Sequence, residues 1–105
     1  AAEALVAKAA HGAARTGFPD QTEAAQAKIL AAETAVKVTN DALQLHGAAG
    51  YSRANPLERM VRDARMFTIG GGTAQVLRTQ VAAAELGMKL PQTREARGDR
   101  AAVPH

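Results

Sequence analysis

The sequence predicts an all-α domain, an antiparallel four-helix bundle, on three observations. Alanine supplies 26 of the 105 residues, a composition that favours helix and lets helix axes approach closely. Aromatic residues make up only 3%, so the interior has to be built from Ala, Leu, Val, Ile and Met. Apolar positions recur at alternating steps of three and four, and helix start and stop residues fall between the apolar segments. The bundle is expected over residues 1–90. From Pro91 the chain is polar with no apolar period, so 91–105 reads as an extended or disordered tail.

A first helix is expected near 1–16, with Leu5, Val6 and Ala9 toward a neighbour and Gly12 marking its weakening end. No capping residue precedes its apolar pattern and position 1 is Ala rather than Met, so the sequence is expected to enter an N-terminally incomplete bundle in mid-helix. Gly17 and Pro19 break the pattern and Asp20 can cap the next helix. This second helix, near 20–46, carries two adjacent apolar rows. One holds Ala25, Ile29, Ala32, Val36 and Leu43, and the other Ala27, Ala31, Ala35, Val38, Ala42 and Leu45. Two rows imply two neighbours, which puts this helix at the centre. Thr39 completes the first row, its hydroxyl expected to bond the backbone of the preceding turn.

Residues 47–54 form a Gly-rich connection. Asn55-Pro56-Leu57-Glu58 then restarts a helix, near 56–69, with a capping residue, Pro at the first helical position and Glu three residues past the cap. Leu57, Met60, Val61, Ala64 and Phe67 make its buried stripe. Glu58 with Arg62 and Arg59 with Asp63 have the i,i+4 spacing of ion pairs. Gly70, Gly71 and Gly72 end it, and Thr73 caps a last helix near 73–88, with Val76, Leu77, Val81, Ala84 and Met88 inward and Gly87 near its close.

The composition bears on several function classes. With no Cys, disulfides and thiolate metal sites are excluded. His11, His46 and His105 share no helical spacing, so no metal site is expected. The net charge of +3 is spread along the chain and into the tail, at Arg94, Arg97 and Arg100, and with few aromatics for base stacking no nucleic-acid partner is expected. No apolar run approaches the ~20 residues of a membrane span, so a soluble, cytoplasmic protein is expected.

Two loops carry the candidate chemistry. Leu43-Gln44-Leu45-His46-Gly47-Ala48-Ala49-Gly50-Tyr51 has the form QxHGxxGY, followed by Pro56-Leu57-Glu58-Arg59-Met60-Val61-Arg62-Asp63-Ala64-Arg65 and then by Gly70-Gly71-Gly72-Thr73. In this order and spacing the three segments resemble the C-terminal helical domain of the flavin-dependent acyl-CoA dehydrogenases, and the resemblance runs from about residue 1 to residue 87. It implies FAD as cofactor, an acyl-CoA substrate, α,β-dehydrogenation of the thioester, a homo-oligomer (dimer or tetramer) and an electron-accepting flavoprotein as partner. Such chemistry needs a base for the α-proton, hydrogen bonds to the thioester carbonyl and a flavin to accept the β-hydride.

By the resemblance, Thr73 and Gln75 contact the flavin, Gly72 borders the substrate, and the backbone N–H of Gly71 holds the thioester oxygen. Gln44, Leu45, His46, Gly47 and Ala48 close over the flavin dinucleotide, commonly from the neighbouring subunit. Position 71 is also where the family frequently has its catalytic Glu. Gly71 has no side chain to take a proton, so no catalytic side chain is expected in this chain. Some branches place the base on an earlier helix, which here would lie before Ala1. These residues alone are expected to be inert.

Plainer readings stand beside these. Three glycines can simply join two helices, and a His at a helix C-terminus is commonly satisfied by the last carbonyls. Tyr51 is expected to pack or hydrogen-bond, and Arg62 or Arg65 to hold the turn through carbonyls or acidic groups of a packed neighbour. Ala48 stands where the family often has Gly, which bears on whether φ can be positive there. The alternative functions are a non-catalytic helical assembly module or subunit derived from the family, and a related flavin reaction such as a reduction.

Overall fold

The computed structural model describes residues 1–90 as five helices; the tail expected at 91–105 lies outside the described residues. The all-α class expected from the sequence is observed. Glycines and capping side chains set the helix ends. α1 (Ala2–Thr16) stops at Gly17, whose φ of 84° is a left-handed conformation that suits glycine. Gly12 lies inside α1 instead of weakening its end. A Cβ there would stand 3.3 Å from Glu23 Oε2, so the glycine admits close approach to the next helix.

α2 (Gln21–His46) begins where the Asp20 carboxylate accepts the Thr22 and Glu23 amides at 3.0 and 3.3 Å. Thr39 Oγ1 donates to the Ala35 carbonyl at 2.7 Å, as its place on the helix predicts. The expected Gly-rich connection contains one turn of helix, α3 (Ala48–Tyr51). It folds tightly against the end of α2, since a Cβ on Gly50 would meet the Leu43 carbonyl oxygen at 2.6 Å.

Asn55 Oδ1 accepts the Leu57 amide at 3.1 Å and starts α4 (Leu57–Met66). That helix is shorter than the 56–69 expected. Phe67, Thr68 and Ile69 each donate to the carbonyl three residues back, so the chain tightens into successive turns before the glycines. Thr73 Oγ1 then accepts the Val76 amide at 3.1 Å and opens α5 (Ala74–Leu86), which closes on left-handed Gly87 with φ 63°.

α2 is central: α1, α3, α4 and α5 all pack on it. Among the described residues α1 and α5 pack on no other helix, and α4 adds only α3. The four longer helices therefore do not close into a mutually packed bundle within residues 1–90. Lys8 with Glu23 ties α1 to α2 at 3.6 Å, and Arg78 with Glu33 ties α5 to α2 at 2.6 Å.

The buried apolar residues are Ala9, Ala25, Ala27, Ala32, Ala64, Ala74 and Leu77. Alanine thus forms most of the buried contact, as the composition predicts. Several larger residues expected to face inward do not. Val38 is 59% and Leu45 87% exposed, and Val6, Met60, Phe67 and Met88 are also exposed. Their apolar rows are real, but nothing in residues 1–90 covers that side of the helices.

Candidate functional site

The 70–73 turn joins α4 to α5 and is fixed from several directions. Gly70 N–H donates to the Met66 carbonyl at 2.8 Å, and Ala74 N–H reaches back to the Thr68 carbonyl at 3.1 Å. Gly71 and Gly72 have φ of 72° and 96°, a pair of left-handed residues that L side chains adopt only with strain. At Gly71 the glycine serves backbone conformation rather than space, because a Cβ there would meet nothing within 4 Å. At Gly72 both matter, since its Cβ would lie 3.1 Å from Leu77 Cδ2.

The strongest hold on the turn comes from Lys28. Its ammonium, 42 and 44 residues away in sequence, donates to the carbonyls of Gly70 and Gly72 at 2.8 and 2.7 Å. Sequence reasoning missed this residue and assigned the holding role to Arg62 or Arg65. Arg62 instead pairs with Glu58, its Nε 3.0 Å from Oε2 and its NH2 group 3.1 Å from Oε1. Arg59 bonds Asp63 at the spacing predicted. Arg65 lines the groove beside the turn. The one local signal for Lys28 was a cation interrupting a stretch of α2 otherwise rich in small apolar residues.

That groove, of about 310 Å³, lies between α2 and the start of α5 and is lined by Glu33, Val36, Lys37, Arg65, Thr68, Ile69, Thr73, Ala74 and Gln75. Thr73 and Gln75 are therefore brought together. The Thr73 hydroxyl is committed to its cap, whereas the Gln75 side chain is exposed. Glu33, the one carboxylate in the lining, is hydrogen-bonded by the Arg78 guanidinium, which holds it below the usual carboxylate range. Lys37 is bonded by Asp41, which raises its pKa.

The second candidate segment sits elsewhere. Gln44, Leu45 and His46 form the last turn of α2, and Gly47, with φ 57° and ψ −137°, turns the chain into α3. Eight residues separate Val36 in the groove from Gln44, about 12 Å along a helix at 1.5 Å per residue. The His46 ring is satisfied at Nδ1 by the Ala42 carbonyl at 2.8 Å, the plainer of its two readings. Ala48 has no positive φ; the left-handed residue is Gly47. Gln44, Leu45, His46, Gly47 and Ala48 are all exposed, and Tyr51, expected to pack or hydrogen-bond, is 81% exposed.

The family described as "Acyl-CoA dehydrogenase, C-terminal domain" matches residues 1–86. The chain is 74% identical over 78 residues to a 3-sulfinopropanoyl-CoA desulfinase of Variovorax paradoxus, covering 74% of this chain and 20% of that protein. It is 67% identical over 96 residues to the desulfinase of the same name from Paraburkholderia xenovorans (strain LB400), covering 91% of this chain and 24% of that protein. A solved structure described as "Electron transferring flavoprotein of Acidaminococcus fermentans: Towards a mechanism of flavin-based electron bifurcation" superimposes with a TM-score of 0.75 at 40% identity, over 81% of this chain and 22% of that one. The chain thus spans about a fifth of the length of the curated relatives it matches. With its all-helical fold, its glycine turn and a family match over residues 1–86, the chain belongs to the acyl-CoA dehydrogenase family, as its C-terminal helical domain.

Proposed function

We propose that these residues form the C-terminal domain of a flavoprotein acting on an acyl-CoA thioester, and that its reaction is loss of the sulfinate group from 3-sulfinopropanoyl-CoA. The observation that carries this reading is the turn at Gly71. It keeps a backbone donor for a thioester oxygen and has no side chain to remove an α-proton. Relatives 74% and 67% identical to this chain bear the name of a desulfinase, and carbon–sulfur cleavage can proceed without such a base.

In that reaction the C3–S bond breaks with its electron pair left on C3. Sulfur dioxide departs and is hydrated to sulfite, and C3 takes a proton from water to give propanoyl-CoA. No oxidant is consumed. β-Elimination to acryloyl-CoA would be different, because it starts with loss of the α-proton and needs a base within hydrogen-bond reach.

FAD suits the residues present along one edge of a site. The Gly71 and Gly72 amides donate to no group among the described residues, and Gln75, which lines the groove with Thr73, is exposed. When bound, the flavin would supply a two-electron acceptor for a dehydrogenation, a capacity that sulfinate loss does not draw on. The segment Gln44, Leu45, His46, Gly47 and Ala48 is exposed and set away from the groove, which supports its serving the site of a neighbouring copy in a dimer or tetramer. An electron-accepting flavoprotein partner is required only if the reaction removes electrons.

The test is incubation of the full-length, flavin-loaded protein with 3-sulfinopropanoyl-CoA, with separate measurement of sulfite, propanoyl-CoA and acryloyl-CoA. Equimolar sulfite and propanoyl-CoA are expected. Conversion of propanoyl-CoA to acryloyl-CoA with flavin reduction would favour α,β-dehydrogenation by a base outside these residues. Absence of any acyl-CoA turnover would favour a helical assembly module.

A further inference from the structure

We propose that Lys28 is the positioning residue of the thioester-binding turn, aiming the Gly71 N–H by holding the carbonyls on either side of it. Lys28 Nζ lies 2.8 Å from the Gly70 oxygen and 2.7 Å from the Gly72 oxygen. The peptide bonds of the described chain are all trans. In a trans peptide the carbonyl of one residue and the N–H of the next point in opposite directions. Anchoring the Gly70 carbonyl on α2 therefore turns the Gly71 N–H away from α2, and anchoring the Gly72 carbonyl does the same for Thr73 N–H. Neither amide donates to a group among the described residues.

One ammonium thus fixes two peptide planes between the Gly70 and Ala74 amide hydrogen bonds that bracket the turn. Two of its three glycines have positive φ, and glycine permits more backbone states than any other residue. Lys28 lines a small, largely apolar cavity together with Ala31, Ala32, Ala35 and Phe67. Lys28 itself stays on the α2 side of the turn. Its effect on the substrate is transmitted through the backbone.

This inference rests on the proposed binding of a thioester at the turn and specifies how the kinetics should divide. Cleavage of C3–S leaves charge on a carbon not conjugated with the thioester carbonyl. The Gly71 hydrogen bond is then about equally strong in the bound substrate and in the transition state. Loss of such an interaction raises KM and spares kcat.

Lys28→Met keeps the stem and removes the donors; Lys28→Arg keeps donors on a different head. Three readouts in the full-length, flavin-loaded protein test the role. In Lys28→Met, KM for 3-sulfinopropanoyl-CoA should rise by about tenfold, the order of one net hydrogen bond, with kcat little changed. The infrared carbonyl band of bound propanoyl-CoA, shifted to lower frequency in the parent, should return toward its position in water. Hydrogen exchange at the Gly70 and Ala74 amides should accelerate while α1 is unaffected. Lys28→Arg should recover part of each effect.

A Lys28→Met protein with parental KM, carbonyl band and exchange would overturn the proposal. A band shift that survives in a folded Lys28→Met protein would overturn it as well. If Lys28→Met does not fold, Lys28→Arg decides alone: a partial rise in KM with a partial return of the band and faster exchange at Gly70 and Ala74 supports the clamp, and parental KM, band and exchange overturn it. Failure of the parent to release sulfite would sink the desulfination reading, while the infrared and exchange readouts would still decide the role of Lys28.

Discussion

A carboxylate at position 71 would change what the turn can do, and the structure says how well it would be tolerated. A Cβ at Gly71 meets nothing within 4 Å, so Gly71→Glu carries the cost of a left-handed backbone alone, about 1–2 kcal/mol. The variant should fold and, with the thioester bound as proposed, should gain a base beside it. Exchange of the α-protons of propanoyl-CoA with deuterated water, followed by mass spectrometry, is expected to accelerate by ~10²-fold or more, the usual scale of a positioned general base. An unchanged rate would show that the thioester does not lie against this turn.

Gly50 is the opposite case. Its Cβ would sit 2.6 Å from the Leu43 carbonyl oxygen and 3.0 Å from His46 Cβ, so Gly50→Ala must displace backbone. It should destabilise the domain by about 1–3 kcal/mol, read as a lower denaturant midpoint. Gly70→Ala should cost less, because its nearest obstacle is the flexible Met66 sulfur at 3.1 Å. The unusual backbone of the Gly71 and Gly72 turn was legible in the sequence because a run of glycines is a local mark. Lys28 was not, because its partners are 42 and 44 residues away and nothing in the local pattern of α2 marks where a lysine head will land.

Among the elements, helix starts were the most legible part of the sequence. Asp20 and Thr73 cap the helices they were expected to cap, and Asn55 accepts the Leu57 amide where α4 begins, since capping depends on only three or four neighbouring residues. Asp20→Ala and Thr73→Ala should each cost about 1 kcal/mol, and calorimetry of the two variants would check it. Buried faces were less legible. Periodicity identifies an apolar row but not its partner, so Val38 and Leu45 followed the pattern and still came out exposed. α3 was missed because one turn of Ala and Gly has no period to read.

The link between α5 and α2 should be pH-sensitive in a known direction. Arg78 holds the Glu33 carboxyl below its ordinary value of 4.5, so the folded state favours the ionised form. The pair's contribution is complete above the ordinary carboxylate range and is lost as pH falls through the lowered folded value. Glu33→Gln should lower stability slightly near pH 7, a small loss because both partners are about half exposed, at 42% and 54%, and the difference from the parent should vanish as pH falls. Equilibrium unfolding between pH 3 and pH 7 would reveal the difference.

At the scale of the molecule, residues 1–90 bury alanines and one leucine while exposing Phe18, Leu45, Tyr51, Ile69 and Leu86, each above 60%. Apolar exposure of this extent marks surfaces that other protein covers. Expressed alone, residues 1–90 should bind an apolar dye and sediment as more than a monomer. A strictly monomeric, dye-silent particle would contradict this.

The arrangement around α2 has a thermodynamic consequence. α4 and α5 each pack on α2 and not on each other, so they lack a direct channel through which to influence one another. Val61→Ala in α4 and Leu77→Ala in α5 should therefore be additive, the double variant losing the sum of the two single losses to within about 0.5 kcal/mol. Sequence change in one of these helices can then accumulate without compensation in the other, whereas a change on the face of α2 is felt by both at once.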